Sequence, residues 1–559
     1  MGGAAKLRGP TTPWLVFAGY LLLALLLFGI HVVGHPASRC ACDLSPYRDA
    51  TSYMWSLAWW PHAVAHGTNP FYTRSVWAPG GLNVAASGAG VPLAAALLSP
   101  VTEAFGAVAA YNVVTVLGPA LSALTAYLLC RRVSGRSLPS VVGGLVFGFS
   151  SYESVQLMDH PNLYLTCLLP LLVLLTVLRL DGELPRSRFL GGMTLLIAGQ
   201  VLLSTELLFD TVLLAIPAVA LGYLIAPRDL ADRLGGVIAE VVLAGVIAAV
   251  LTAPYLYWAV FKQPLTILPD AAESFKLDLA NLVLPGRTTW LGGSALASVS
   301  GRYSATVSES VGYIGLPLLA LFVYYIVSQW QTRLARYLAL MFALSVLLAL
   351  GPHLAIAGSG PSVPLPWRLV ERLPLFRADL PARFSLFSNL ILALGVSVAL
   401  AIQTERRRIA AVALAVCGLA FILPDVPGPW WNSAMPPAQL INSRQLRAGL
   451  PHDPVLLTLP FGPFGDEMYW QAASGFRFRL ADGYMSSIPP AKDRNDGTNR
   501  LYDVAQPPPT PSTLASFLRG HAVAAIVVTP AATRAWGPDL ARLHLRRELV
   551  AGVYVYRPS

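Results

Sequence analysis

Eleven apolar runs, at about 13–33, 107–130, 138–151, 161–179, 189–204, 207–226, 234–258, 311–328, 337–357, 386–403 and 409–424, constrain the fold of this chain more than anything else. Most are long enough, or nearly so, to cross a hydrocarbon layer of about 30 Å as helices. Mean hydropathy is +0.58, and 12% of residues are charged, about half the share of a soluble domain. A chain of 559 residues cannot bury so much apolar surface in one core, so lipid must solvate most of it. The runs at 138–151 and 189–204 are short and are read as tilted, broken or partly buried helices. The expected fold class is mainly α, a polytopic transmembrane bundle of about eleven spans.

An odd number of spans puts the termini on opposite sides. Basic clusters at Lys6/Arg8, Arg131/Arg132/Arg136, Arg179/Arg186/Arg188, Arg228/Arg233, Arg333/Arg336 and Arg406/Arg407/Arg408 fall in alternate gaps. All of them are cytoplasmic if the N-terminus is cytoplasmic. The large gaps 34–106, 259–310 and 358–385, the short gap 151–160 and the tail from 425 are then external. The net charge of +10 is spread over these clusters and forms no single patch, so no nucleic-acid partner is expected. Trp14–Val33 is read as a retained span, because no small-residue cleavage site follows it. Five cysteines are too few for a disulfide framework, and Cys40 and Cys42, one residue apart, suggest neither a redox nor a metal motif.

The polar stretch from Asp43 to Asn83 stands out against this background. It holds Asp43, Asp49, His62, His66 and four tryptophans at 55, 59, 60 and 77. Trp55, Trp59, His62 and His66 recur at helical spacing, and Asp49, Tyr53, Ser56 and Trp60 share another face. A helix there is expected to lie along the membrane interface with its indoles at headgroup level. NPFYTRSVWAPGGLN is turn chemistry, and 91–106, broken by Pro100, reads as a second interfacial or re-entrant helix. Asp49 can serve as a general base on an acceptor hydroxyl, or simply as a first-turn carboxylate favoured by the helix dipole. His62 and His66, four apart, have a metal-ligand spacing, but no zincin-type Glu follows the first, so support for a divalent metal is weak.

Glu153, Gln156, Asp159, His160 and Asn162 cluster between two spans, where carboxylates are costly unless paired or functional. A solvated turn capping the next helix is the alternative. Glu206, with Asp210 one turn on, is either a functional intramembrane carboxylate or a hairpin apex bonded by Ser204 and Thr205. Glu309 is similar. Arg383, between Pro381 and a span, suits a phosphate through its guanidinium fork, or anchors the interface. Arg368, Arg372 and Arg377 interleave with Leu, Phe and Trp in an amphipathic segment. After Pro424 the composition shifts. PVLLTLPF, AAIVVTP and GVYVYR are β-like, STLASFLRG is helical, and 425–559 reads as a small external α/β domain beside a transmembrane domain of 1–424. No nucleotide-binding glycine motif is present.

The segments DATSYMWSLAWWPHAVAHGTNPF, APGGLN, FGFSSYESVQLMDHPNL, ESVGYIGLP and LPARF resemble a bacterial group of membrane glycosyltransferases within the GT-C class, over roughly 13–424. That resemblance implies a polyprenyl-phosphate-linked sugar donor, with transfer at the external face of the bacterial inner membrane to a glycan, lipid or protein acceptor. It also implies inversion at the anomeric carbon. Position by position, Asp49 matches the catalytic carboxylate of the first loop, Asp159 or Glu153 the acidic position of the second, and Arg383 a phosphate-contacting residue. Tyr53, Trp59, His62, His160, Glu206 and Glu309 are the further substrate-binding candidates. Many members of the class carry an adjacent D-E or an E-x-D in the first loop, whereas here Asp43 and Asp49 lie six apart. The rival functions are a non-catalytic envelope-assembly protein and a lipid or polysaccharide transporter, although the internal repeats expected of a transporter are not seen.

Overall fold

The computed structural model describes residues 12–262, 270–303, 306–360, 363–373, 376–437, 443–448, 450–485, 489–490, 493–502 and 510–557. Residues 263–269, part of the gap 259–310, lie outside the described residues.

A helix lies in each apolar run, and the first polar loop holds a 17-residue helix followed by two short ones, Pro92–Leu97 and Ser99–Phe105. In chain order the longer of these are α1 (Pro13–Ala24), the loop helix α2 (Asp49–Ala65), α3 (Ala107–Ser134), α4 (Ser137–Gly148), α5 (Leu168–Leu180), α6 (Arg186–Leu203), α7 (Thr205–Ile225), α8 (Arg228–Leu251), α9 (Leu316–Ser328), α10 (Arg333–Ala349), α11 (Ser385–Ala401) and α12 (Glu405–Phe421). Among the described residues five segments are long and apolar enough to cross a membrane: Ala107–Ser134, Pro161–Leu180, Thr205–Ile225, Arg228–Leu251 and Pro381–Ala401. Pro13–Gly29 and Leu316–Ser328 are apolar but shorter. The most apolar stretches of α7 and α8 are only 11% and 22% buried, leaving Val212, Ile216, Leu224, Val242, Val246 and Val250 exposed. Such faces need lipid around them. The chain is a multi-pass membrane protein.

The chain divides into two compact units. The first comprises Met1–His31, Val114–Ala253 and Ile267–Trp431. Its centre is α11, as apolar as a lipid-facing helix yet 89% buried over its span, packed on α4, α9 and α10. Small residues permit the close approach of α4 to its neighbours. A methyl at Gly143 would stand 2.7 Å from Cys130 Sγ, and one at Gly148 2.5 Å from the Ala123 nitrogen of α3. Tyr20 of α1 donates to the Val141 carbonyl at 2.9 Å and closes the same seam. Gly148→Ala is therefore expected to push α3 and α4 apart and cost about 1–3 kcal/mol. Thermal scanning of the detergent-solubilised protein checks this, and an unchanged midpoint would contradict it.

The second unit gathers Val32–Val113, Pro254–Thr266 and Asn432–Ser559. Its tail carries a five-stranded sheet of β1 (Val455–Leu459), β2 (Arg479–Leu480), β3 (Val523–Val528), β4 (Arg546–Val550) and β5 (Val553–Arg557), in the order β2-β1-β3-β5-β4. β1 is parallel to β2 and β3, and β5 is antiparallel to β3 and β4. Every residue of β1 is buried, which is why it reads as a continuous apolar run. Four of the five residues of β4 are exposed, including Arg546, Arg547 and Glu548, the charged composition of a protected edge. Helices α13 (Glu467–Ala473) and α14 (Pro511–Gly520) lie in the crossovers from β1 to β2 and from β2 to β3. Thr510 caps α14 by accepting from the Thr513 nitrogen at 3.3 Å.

The tryptophans of α2 correct one expectation. Trp55, Trp59 and Trp60 are 0%, 4% and 6% exposed. They pack inside this unit instead of presenting their indoles to headgroups. Trp55 stacks on Trp59 at 5.2 Å, both meet Phe476 edge-on, and Trp55 Nε1 donates to Gln471 Oε1 at 2.6 Å. Trp55 and Trp59 bury their rings with the indole N–H bonded, as buried indoles usually are. Cys40 and Cys42 form a disulfide, a pairing that their spacing did not suggest.

Candidate functional site

Asp49 occupies the first position of α2, after Arg48 as N-cap. The dipole favours its charge there, and the residue is half-buried and reachable from solvent. Tyr484 donates its hydroxyl to Asp49 Oδ1 at 2.8 Å. On either side in sequence, Arg48 Nε pairs with Asp466 Oδ1 at 3.0 Å, the Arg48 nitrogen donates to the Pro463 carbonyl at 2.8 Å, and the Ser52 hydroxyl donates to the Tyr484 carbonyl. Asp43 accepts from the Ser45 nitrogen at 2.9 Å, a local Asx turn. Tyr53, on the same helix, is buried, with its hydroxyl 3.4 Å from the Gly88 carbonyl.

Beneath Asp49's partners lies a carboxyl cluster at the carboxyl ends of β1 and β2. Thr458 Oγ1 is 3.3 Å from Glu467 Oε2 and 3.2 Å from Asp482 Oδ2, and both acids are fully buried. Burial pushes Glu467 well above the usual carboxylate range, and the neighbouring charge of Asp482 adds to the rise. Burial likewise pushes Asp482 up to about 7. Between the unfolded value near 4 and that pH the folded state holds more protons than the unfolded one, so stability falls as pH rises through the window. The apparent melting midpoint is expected to drop between pH 5 and pH 7 in the native protein and to drop less in Asp482→Asn. Thermal scans at stepped pH check this, and an equally steep variant would contradict it.

His62 and His66 lie 4.1 Å apart between ring centroids in a tilted contact, and His62 also lies 4.4 Å from Phe476. They line a cavity of about 450 Å³ with Thr102, Glu103 and Tyr469. Burial first, then the neighbouring His66, lowers the His62 pKa, which keeps its ring neutral at physiological pH. Among the described residues no group of three or more His, Cys, Asp or Glu side chains is arranged to hold a metal ion. Trp59 serves as a wall of this aromatic packing, its Nε1 donating to the Pro70 carbonyl at 2.9 Å.

The first unit brings a second set together. Arg383 pairs with Glu206 through Nη1 and with Glu309 Oε1 through Nη2 at 3.2 Å. Arg383 and Glu309 are 8% and 5% exposed. Gln156 Nε2 lies 3.4 Å from Glu309 Oε2, which ties the segment 151–160 to the same group. One turn along α7 from Glu206 stands Asp210, fully buried and beside Asp379, itself four residues before Arg383. Burial lifts Asp379 to about 6. Two pairs therefore stack between α7 and the segment 379–383, one ionic and one of two carboxyls. Ser204 caps α7 by accepting from the Leu207 nitrogen at 3.2 Å. Glu153 is fully buried, accepts from Thr166, and is pushed well above the ordinary range by burial. Asp159 Oδ1 lies 2.5 Å from His160 Nδ1.

Tyr484, Asp466, Glu467, Asp482 and Asp379 are not among the residues singled out from the sequence. Asp466 and Glu467 follow the loop after β1, and Asp482 stands two residues beyond the short β2; no local pattern marks them.

The fold is that of the GT-C class. The chain superposes on the arabinofuranosyltransferase AftD from Mycobacteria with a TM-score of 0.63 at 13% identity, over 99% of this chain and 40% of AftD. It superposes on the archaeal oligosaccharyltransferase AglB from Archaeoglobus fulgidus, in complex with an inhibitory peptide and a dolichol-phosphate, with a TM-score of 0.51 at 11% identity, covering 98% and 74%. For ArnT from Cupriavidus metallidurans bound to undecaprenyl phosphate the values are 0.50 and 12%, covering 98% of both chains. The chain thus spans less than half the length of AftD. No curated protein sequence matches it. Residues 17–422 match the model of a family described as a domain of unknown function, DUF6311, and the chain belongs to that family.

Proposed function

We propose that the chain is a membrane glycosyltransferase that moves a sugar from a polyprenyl-phosphate donor to a hydroxyl of an envelope glycan, lipid or protein. The observation that carries the reading is Asp49, a half-buried carboxylate at the start of an aromatic helix, oriented by a phenol in a chain of GT-C fold. In this reading Asp49 takes the proton of the acceptor hydroxyl as its oxygen attacks the anomeric carbon. The bond from that carbon to the phosphate oxygen breaks through an oxocarbenium-like transition state, with inversion. The lipid phosphate leaves with the bonding pair, so a nearby cation, not an acid, favours departure.

Arg383 is the proposed phosphate contact. Because it already pairs with Glu206 and Glu309, taking up a phosphate requires one of those pairings to open. Asp159, Glu153 and His160 are proposed for the second external gap, and Tyr53, Trp59 and His62 for the surroundings of the acceptor. We place the protein in the bacterial plasma membrane with its N-terminus cytoplasmic and the tail 425–559 outside as an α/β domain.

The test is donor choice by the purified, reconstituted protein. Radiolabelled polyprenyl-phosphate pentoses and hexoses are offered beside the matching nucleotide sugars, with an envelope extract as acceptor. Transfer from the lipid donor only is expected. Transfer from nucleotide sugars, or from neither class, would overturn the proposal.

A further inference from the structure

We infer that the sheet of the tail is a platform that aims Asp49, with Tyr484 as its positioning residue; this rests on the proposed role of Asp49 as base. The strand order β2-β1-β3 reverses direction at β1, since the first crossover runs to one side and the second to the other. In open α/β sheets of this order the loops at the β1/β3 switch point form the crevice that ordinarily receives a ligand. In this unit the loop after β1, together with the loop after β2, holds the N-terminus of α2. The loop after β1 supplies the Pro463 carbonyl to the Arg48 nitrogen, Asp466 to the Arg48 guanidinium, and Phe464 to the Tyr47 ring at 5.3 Å. The loop after β2 supplies the Tyr484 hydroxyl to Asp49 and its carbonyl to Ser52.

Residues 47, 48, 49 and 52 are therefore gripped from two adjacent loops, with Asp49 between the two grips. The loops are themselves anchored from below, since Gly465 packs against Glu467 and the Asp482 carbonyl accepts from the Trp77 nitrogen at 3.1 Å. A carboxylate at a helix start has rotamer freedom that weakens it as a base. The hydrogen bond to Oδ1 from a phenol fixed by its own strand end limits that freedom and helps aim the carboxylate. The tail is in this account part of the catalytic machinery, not an appended module, and Tyr484 with the Arg48–Asp466 pair sets the orientation.

The experiment compares native protein, Asp49→Asn, Tyr484→Phe and Asp466→Asn, each full length and reconstituted, with the radiolabelled polyprenyl-phosphate sugar panel as donor. Tyr484→Phe is expected to lower kcat about 10–100-fold, the size of a hydrogen bond to a charged group, with donor KM and melting midpoint unchanged. Asp466→Asn is expected to lower kcat in the same direction by a smaller factor. A native kcat in Tyr484→Phe, with Asp49→Asn inactive, would overturn the inference and leave the reading of Asp49 standing. Full activity in Asp49→Asn would overturn both. If Tyr484→Phe loses folded protein, Asp466→Asn decides alone: a kcat loss at unchanged KM supports the platform, and a native kcat refutes it.

Discussion

Asp49→Asn is expected to leave the protein folded and able to bind the proposed lipid donor but to reduce transfer about 10²–10⁴-fold, the range over which a general base contributes. The substitution preserves shape and still accepts from Tyr484, so the Oδ1 hydrogen bond at 2.8 Å survives while the capacity to take a proton is lost. The loss should fall on kcat, because a proton transfer that occurs only in the transition state leaves ground-state binding unchanged. A comparable loss in KM with kcat retained would instead mark Asp49 as a binding residue. If the variant also loses its fold, the first-turn dipole contribution of Asp49 is larger than the fraction of a kcal/mol usual at such a position.

Arg383→Gln is the second large effect, and it falls on stability first. The substitution strands Glu206 and Glu309 without their cation, and Glu309 is almost fully buried. Removing one partner of a buried pair costs about 3–5 kcal/mol, because the other charge remains in low dielectric. Arg383→Lys should lose less, keeping a charge but not the two-armed fork that reaches both acids. Arg383→Gln combined with Glu309→Gln should recover part of the loss, since no buried charge is then orphaned at that position. Thermal scanning and yield of folded protein measure all three. A single Arg383→Gln variant as stable as native protein would show that the two ion pairs contribute nothing to the fold.

Much of the helical scaffold was legible because lipid-facing and buried helices leave the same long apolar runs in a sequence. Each run carries a helix, including the short ones at 137–148 and 186–203. Hydropathy did not separate α11, enclosed by other helices, from α7 and α8, whose apolar faces are bare. Periodicity placed α2 and the face carrying Asp49. It did not foresee that the tryptophans pack inward, because an indole stripe looks the same facing headgroups or facing Phe476 and Gln471. In the tail, β1, β3 and β5 read as apolar or alternating runs. β2 spans two residues and β4 is a charged edge, so neither leaves such a trace. Tyr484 was invisible for a different reason: it lies 435 residues from Asp49 in the chain, and no local pattern reports a contact of that range. The Glu206, Arg383 and Glu309 set shows the opposite case. Glu206 and Glu309 were singled out for the cost of charge near hydrocarbon and Arg383 as a phosphate ligand, and the three are paired with one another.

The central claim is chemical: a sugar leaves a lipid phosphate and arrives on an acceptor. The most direct measurement counts polyprenyl phosphate released per sugar transferred by the purified protein in sealed liposomes, with a doubly labelled donor carrying one isotope on the lipid and another on the sugar. The account predicts one polyprenyl phosphate freed for each sugar incorporated, the new linkage inverted at the anomeric carbon, and neither event with Asp49→Asn. Passage of the intact donor from one leaflet to the other with no lipid phosphate released would contradict it and identify a transporter built on the same fold.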